Sequence, residues 1–235
     1  MLPSKLQFIR SHGAILVLHV IFAIVCLATI QRGSWLMGWD AMNVELNPAL
    51  NIAQALHAGW QGNYGVGTIT GHGFASTLPQ TLLSAFLQLV MPSWLVRQTT
   101  ILLFYYLGGL GMFFFVRSLL KNHSREKNDW IAWIALISAL WYWFNLGTAQ
   151  IFYLPLEAFA IQFALLPWAT LVLFRYLDNT SSLRRLFQVC LVFFLGAGQG
   201  FIPSLAVTHF LLVGIILLVY WAKSDSKQTA VAAVA

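Results

Sequence analysis

The chain has 235 residues, 59% hydrophobic and only 9% charged. A soluble domain of that size needs more charge than this to cover its surface, so a water-soluble protein is excluded and most of the surface is expected to meet lipid. The net charge of +6 is distributed between apolar runs and forms no separate basic domain, which excludes a nucleic-acid partner.

The chain opens on "MLPSKLQFIRSHG" followed by "AILVLHVIFAIVCLATI". The layout is that of a signal sequence, but the apolar run is as long as a spanning helix and no A-x-A cleavage pattern follows. It reads as a retained anchor over residues 13–31. Cys26, within it, and Cys190, in a later apolar run, read as small core or lipid-facing residues.

Next comes "GWDAMNVELNP", which holds two of the seven acidic residues, Asp40 and Glu45. "LNPALNIAQALHAGW" then predicts an amphipathic helix over 47–60. Asn47 is placed to cap it and Pro48 falls at the first helical position, where its missing N–H costs nothing. Leu46, Ala49, Ile52, Ala53, Leu56 and Trp60 share one face, with Asn51, Gln54 and His57 on the other. Such a helix should lie in the headgroup region with its apolar face inward to the lipid. "GNYGVGTITGHGF" follows, without periodicity. It lacks the Lys of a Walker loop and no strand precedes it, so it reads either as a mobile loop closing over a substrate or as a plain connection. "PQTLLSAFLQLVMP", residues 79–92, has about 13 apolar residues, a rise of only about 20 Å against a hydrocarbon core of about 30 Å. It predicts a helix lying in the interface or re-entering it.

Five more segments are apolar enough to cross, at about 97–119, 130–148, 157–177, 184–201 and 203–222. With six spans and the N-terminus inside, Lys5, Arg10, Arg117, Lys121, Arg125, Lys127, Arg175, Arg184, Arg185, Lys223 and Lys227 face the cytoplasm. Only Arg32 and Arg97 then face out; a crossing at 79–92 would invert most of these, against the positive-inside bias. The expected architecture is therefore all-α and polytopic. It is a single transmembrane domain over 1–222, with an external loop at 32–96 carrying two surface helices, and a disordered cytoplasmic tail at 223–235.

The run "GWDAMNVELNPALNIAQALHAGWQGNYGVG…GHGFASTLPQTLLSAFL" resembles the GT-C superfamily of integral membrane glycosyltransferases. It looks most like the N-terminal region of the large arabinofuranosyltransferase-like members of prokaryotes. The shared features are one span after a basic N-terminus, an aspartate close to the outer interface, and two juxtamembrane helices in the first external loop. The resemblance implies transfer of a sugar from a polyprenyl-phosphate donor to a glycan or protein acceptor on the outer face of the cytoplasmic membrane, with both termini cytoplasmic. It places Asp40 at the catalytic acid of the first loop. Members of the family usually have more spans and often an external soluble domain, so this chain is expected to be an N-terminal fragment or a reduced version.

The chemistry supports a carboxylate there independently of the resemblance. Displacing a phosphate from an anomeric carbon with inversion needs a base for the acceptor hydroxyl's proton. Glu45 is the second candidate catalytic acid, able to orient Asp40 or to hold, with it, a divalent cation such as Mg or Mn against the phosphate; no cofactor is certain. Its bland alternative is to complement the dipole of the following helix. Candidate substrate contacts are His57, His72, Arg97, Gln150, Glu157 and Gln199, with Asn145 also near the outer end of its span. The competing readings are a solvated loop for Asp40, a polar-face residue for His57, helix capping for Glu157, and snorkelling into headgroups for Arg97. His19 and His209 lie deeper and are expected to hydrogen-bond between helices. Two other functions fit the same layout: a transporter or flippase for lipid-linked saccharides, and an assembly subunit using its surface helices as a contact.

Overall fold

The computed structural model describes residues 5–37, 44–56, 75–123 and 130–223. Asp40, His57 and His72 lie outside them, as does the tail beyond residue 223. The described residues are all-helical. In chain order they form α1 (Lys5–Thr29), a 3-10 turn (Val44–Leu46), α2 (Pro48–Leu56), α3 (Leu78–Gln88), α4 (Ser93–His123) and α5 (Trp130–Phe144). There follow α6 (Leu146–Tyr153), α7 (Glu157–Leu177), α8 (Leu183–Leu195), a second 3-10 turn (Ala197–Phe201) and α9 (Pro203–Lys223).

Three of these are long and apolar enough to cross a bilayer: Ser93–Lys121, Glu157–Leu177 and Pro203–Ala222. A fourth arises if α5 and α6, bent by 49° at their junction, form one broken span. This is consistent with an integral membrane protein, although it does not reach the expected count of six. Gly13–Thr29 is apolar but shorter. The stretch expected as a single span over 184–201 is divided: α8 stops at Leu195, Gly196 caps it, and the 3-10 turn follows. The 13 residues of α8 rise about 20 Å.

The bend between α5 and α6 has a local cause. Asn145 leaves the helical region at φ −83°, ψ 161°, and its side chain serves both ends. Its Oδ1 accepts from the Thr148 N–H at 3.0 Å, capping α6, while Nδ2 donates to the carbonyls of Trp141 and Tyr142 that end α5.

The longest helix, α4, is the centre of the packing, with α7 and α5 as its most extensive neighbours. The sequence "GGLG" makes this approach close. A Cβ at Gly108, Gly109 or Gly111 would overlap the rings of Phe163, Trp143 and Trp168 respectively, so the glycines admit three large aromatics against the backbone. Tyr105 and Trp143 stack at 5.2 Å and exchange hydrogen bonds: the Tyr105 hydroxyl donates to the Trp143 carbonyl, and the indole N–H to the Tyr105 carbonyl at 2.7 Å. Both rings are thus buried with their polar atoms satisfied.

The short helices behave as expected at their starts and turn their apolar sides outward. Asn47 Oδ1 accepts from the Leu50 N–H at 3.0 Å, so the predicted cap forms. Leu46, Ala49, Ala53 and Leu56 are exposed. On α3 the arrangement is inside out relative to a soluble protein: Gln80, Thr81 and Ser84 are buried, whereas Leu82 and Phe86 are 49% and 62% exposed. A helix with that placement is suited to an apolar surround.

Candidate functional site

The described polar interior gathers at the start of α4. Arg97 lies in its second turn and is 3% exposed. One guanidinium nitrogen, Nη2, lies 2.6 Å from Glu157 Oε1 at the first residue of α7 and donates to the Pro155 carbonyl at 3.3 Å. The other terminal nitrogen, Nη1, lies 3.8 Å from Glu45 Oε1. Glu45 is itself 3% exposed, and its carbonyl accepts from the Gln88 side chain at the end of α3. One cation therefore ties the first 3-10 turn to α4 and α7. Buried ions persist where each is paired in this way.

The next residue binds the other side of the same segment. Gln98 accepts from the Gln31 N–H at 3.0 Å and donates to the carbonyls of Gln31 and Ser34, at 3.0 and 2.7 Å. The turn it holds needs Gly33, whose φ of 71° is open to glycine at little cost. Residues 38–43, with Asp40 among them, thus lie between two flanks anchored to consecutive side chains of α4.

The predicted site residues divide accordingly. Arg97, Glu45 and Glu157 come together. Arg97 is neutralised inside the protein, so the snorkelling alternative fails: it is too buried to reach headgroups. Glu45 faces Arg97 and is buried, while still preceding the start of α2 as expected. Leu156, and not Glu157, takes the N-cap position of α7. Gln150 is exposed on α6. Gln199 is buried in the second 3-10 turn, with no hydrogen-bond partner for its Oε1 among the described residues. Gln80 Oε1 on α3 is in the same state. These are oxygen acceptors with capacity for a further donor. No group of three metal-ligating side chains occurs among the described residues.

His19 makes the interhelical bond expected of it. Its Nδ1 contacts the Ile15 carbonyl at 2.6 Å and must donate there, which leaves Nε2 to accept from the Tyr106 hydroxyl at 2.8 Å. His209 shows none: among the described residues both buried ring nitrogens lack a partner, and the ring meets Phe193 edge-on at 4.8 Å.

A cavity of about 400 Å³ opens between α1, α4, α5 and α6. Its lining includes Gln98, Tyr105 and Trp143 but not Glu157, Gln150 or Gln199, so those three do not converge on it. Sequence reasoning missed Gln98, Gln88 and the polar face of α3. The signal was present, since Gln80, Thr81, Ser84 and Gln88 recur at helical spacing in "PQTLLSAFLQ". No family model, curated protein or solved structure matches the chain.

Proposed function

We propose that the chain is a membrane glycosyltransferase, or the N-terminal part of one, acting on a polyprenyl-phosphate sugar. Transfer takes place on the extracytoplasmic face of a prokaryotic cytoplasmic membrane. The observation that carries this reading is the double anchorage of the segment bearing Asp40. A general base must be held within hydrogen-bond reach of the acceptor hydroxyl, and anchoring the residues on both sides of Asp40 supports such a role. The reading keeps six crossings, with α8 and the following 3-10 turn as the fifth, and both termini cytoplasmic. The lopsided distribution of Lys and Arg supports that orientation.

In this mechanism Asp40 takes the proton from an acceptor hydroxyl, of a glycan or a protein. The acceptor oxygen bonds to the anomeric carbon as the bond from that carbon to the phosphate oxygen breaks. The electron pair leaves on polyprenyl phosphate. Glu45, bound to Arg97, serves as the anchor of the loop. Of the two acids considered for a divalent cation, Glu45 is thus engaged elsewhere, and no step is assigned to a metal.

The test is Asp40→Asn in the full product of the reading frame, assayed in membranes with a radiolabelled polyprenyl-phosphate sugar. Loss of transfer by about 10²-fold or more, with unchanged insertion and thermal stability, is expected. Transfer at the parent rate would refute the role of Asp40, and a transporter or assembly subunit would show no transfer in either form. A cysteine placed at residue 40 should react with an impermeant reagent only from the outside; cytosolic reactivity overturns the orientation.

A further inference from the structure

The cavity between α1, α4, α5 and α6 is left unused by the proposed chemistry. Its walls are apolar side chains such as Val25, Ile101, Leu102 and Phe152. Six lining side chains carry polar groups; five are committed inside the protein, and the sixth, Tyr153, stands at the exposed rim. The Thr29 hydroxyl donates to the Val25 carbonyl and the Thr148 hydroxyl to the Tyr142 carbonyl, both at 2.7 Å. Tyr105 and Trp143 donate to each other's carbonyls, and the Gln98 amide is bound to Gln31 and Ser34. Away from the Tyr153 hydroxyl at the rim, a polar ligand would meet no uncommitted donor among these side chains, which favours an apolar occupant.

The rim indicates what fills it. Phe144 and Tyr153, which border the cavity, are 59% and 83% exposed, and beyond them Leu27 and Leu146 are exposed on α1 and α6. In a chain that meets lipid, such a mouth opens to hydrocarbon. One cation is close to the lining in sequence. Arg32 is exposed, three residues beyond Thr29 and four before Leu36, both of which line the cavity.

We propose that this cavity holds one acyl chain of an anionic phospholipid of the bilayer, with the lipid phosphate against Arg32. The chain enters between Phe144 and Tyr153 and lies along α4. The proposal needs the membrane setting but not glycosyl transfer, and it stands or falls apart from the role of Asp40.

The full chain is reconstituted in phosphatidylcholine vesicles containing a phosphatidylglycerol with a diazirine on one acyl chain. It is then irradiated and mapped by mass spectrometry. Label is expected to concentrate on residues 98–105 and 143–153 relative to the exposed face of α9, at Phe210, Leu211 and Leu218. Ala149→Trp and Ile101→Phe fill the space from different helices. Each should lower that label by about tenfold while leaving the α9 label unchanged. Arg32→Gln should lower it by about fivefold for the phosphatidylglycerol probe and not for a phosphatidylcholine probe. Label no denser in the cavity segments than on α9, or insensitive to both filling variants, overturns the proposal. So does displacement of the label by unlabelled polyprenyl phosphate but not by unlabelled phosphatidylglycerol.

Discussion

Arg97 and Gln98 are neighbours on α4, yet they hold opposite flanks of one segment: Arg97 the side of Glu45, Gln98 the side of Gln31 and Ser34. The two anchors differ in energy. Arg97→Ala leaves two carboxylates buried without their cation and is expected to cost about 3–5 kcal/mol. Gln98→Leu removes three hydrogen bonds to backbone that lies near the surface, at about 0.5–1.5 kcal/mol each. Denaturation in mild detergent checks the first. Hydrogen exchange checks the second, with faster exchange confined to residues 31–37. Equal, small effects from both variants would contradict the pairing described for Arg97.

The glycines of α4 and α9 should respond oppositely to alanine. Gly109→Ala places a methyl group inside the Trp143 ring, which is fully buried and hydrogen-bonded, so a loss of about 1–3 kcal/mol is expected. Gly214, in α9, has nothing within 4 Å of such a methyl group. Gly214→Ala should raise stability by up to about 1 kcal/mol through helix propensity. Parallel thermal unfolding of the two variants decides it, and a stabilised Gly109→Ala would show that α4 and α5 lie further apart than described.

The histidines of α1 and α9, His19 and His209, should also diverge. His19→Leu removes an interhelical bond to Tyr106, at a cost of about 0.6–2 kcal/mol. His209→Leu replaces an imidazole whose nitrogens have no partner among the described residues, removing a desolvation penalty, and should stabilise by about 1 kcal/mol. A destabilised His209→Leu variant would mean that the ring has a hydrogen-bonding role beyond its contact with Phe193.

Features set by local physics were legible from the sequence. The Asn47 cap, the short helix before Pro92 and the starts of α5, α7 and α9 follow from side-chain chemistry and hydrophobic run length. The break at Asn145 was harder to see, because an unbroken apolar stretch hides one capping side chain. The division of the fifth apolar run was hidden for a similar reason: hydropathy averages over Gly196, which caps the helix, and over the 3-10 turn that follows. The meeting of Arg97 with Glu45 and Glu157 is a tertiary fact. Each residue was picked out alone by its charge in an apolar context, but no spacing rule brings together partners from three elements.

The same guanidinium bears on biogenesis. Arg97 leaves the ribosome well before Glu157, its nearer partner, while Glu45 precedes both. While α4 is being made, Arg97 therefore has only the more distant acid, at 3.8 Å, and lacks both the 2.6 Å contact to Glu157 and the Pro155 carbonyl. Final seating of α4 must wait for the arrival of α7. Truncation between these helices should leave a poorly inserted product that cellular quality control removes.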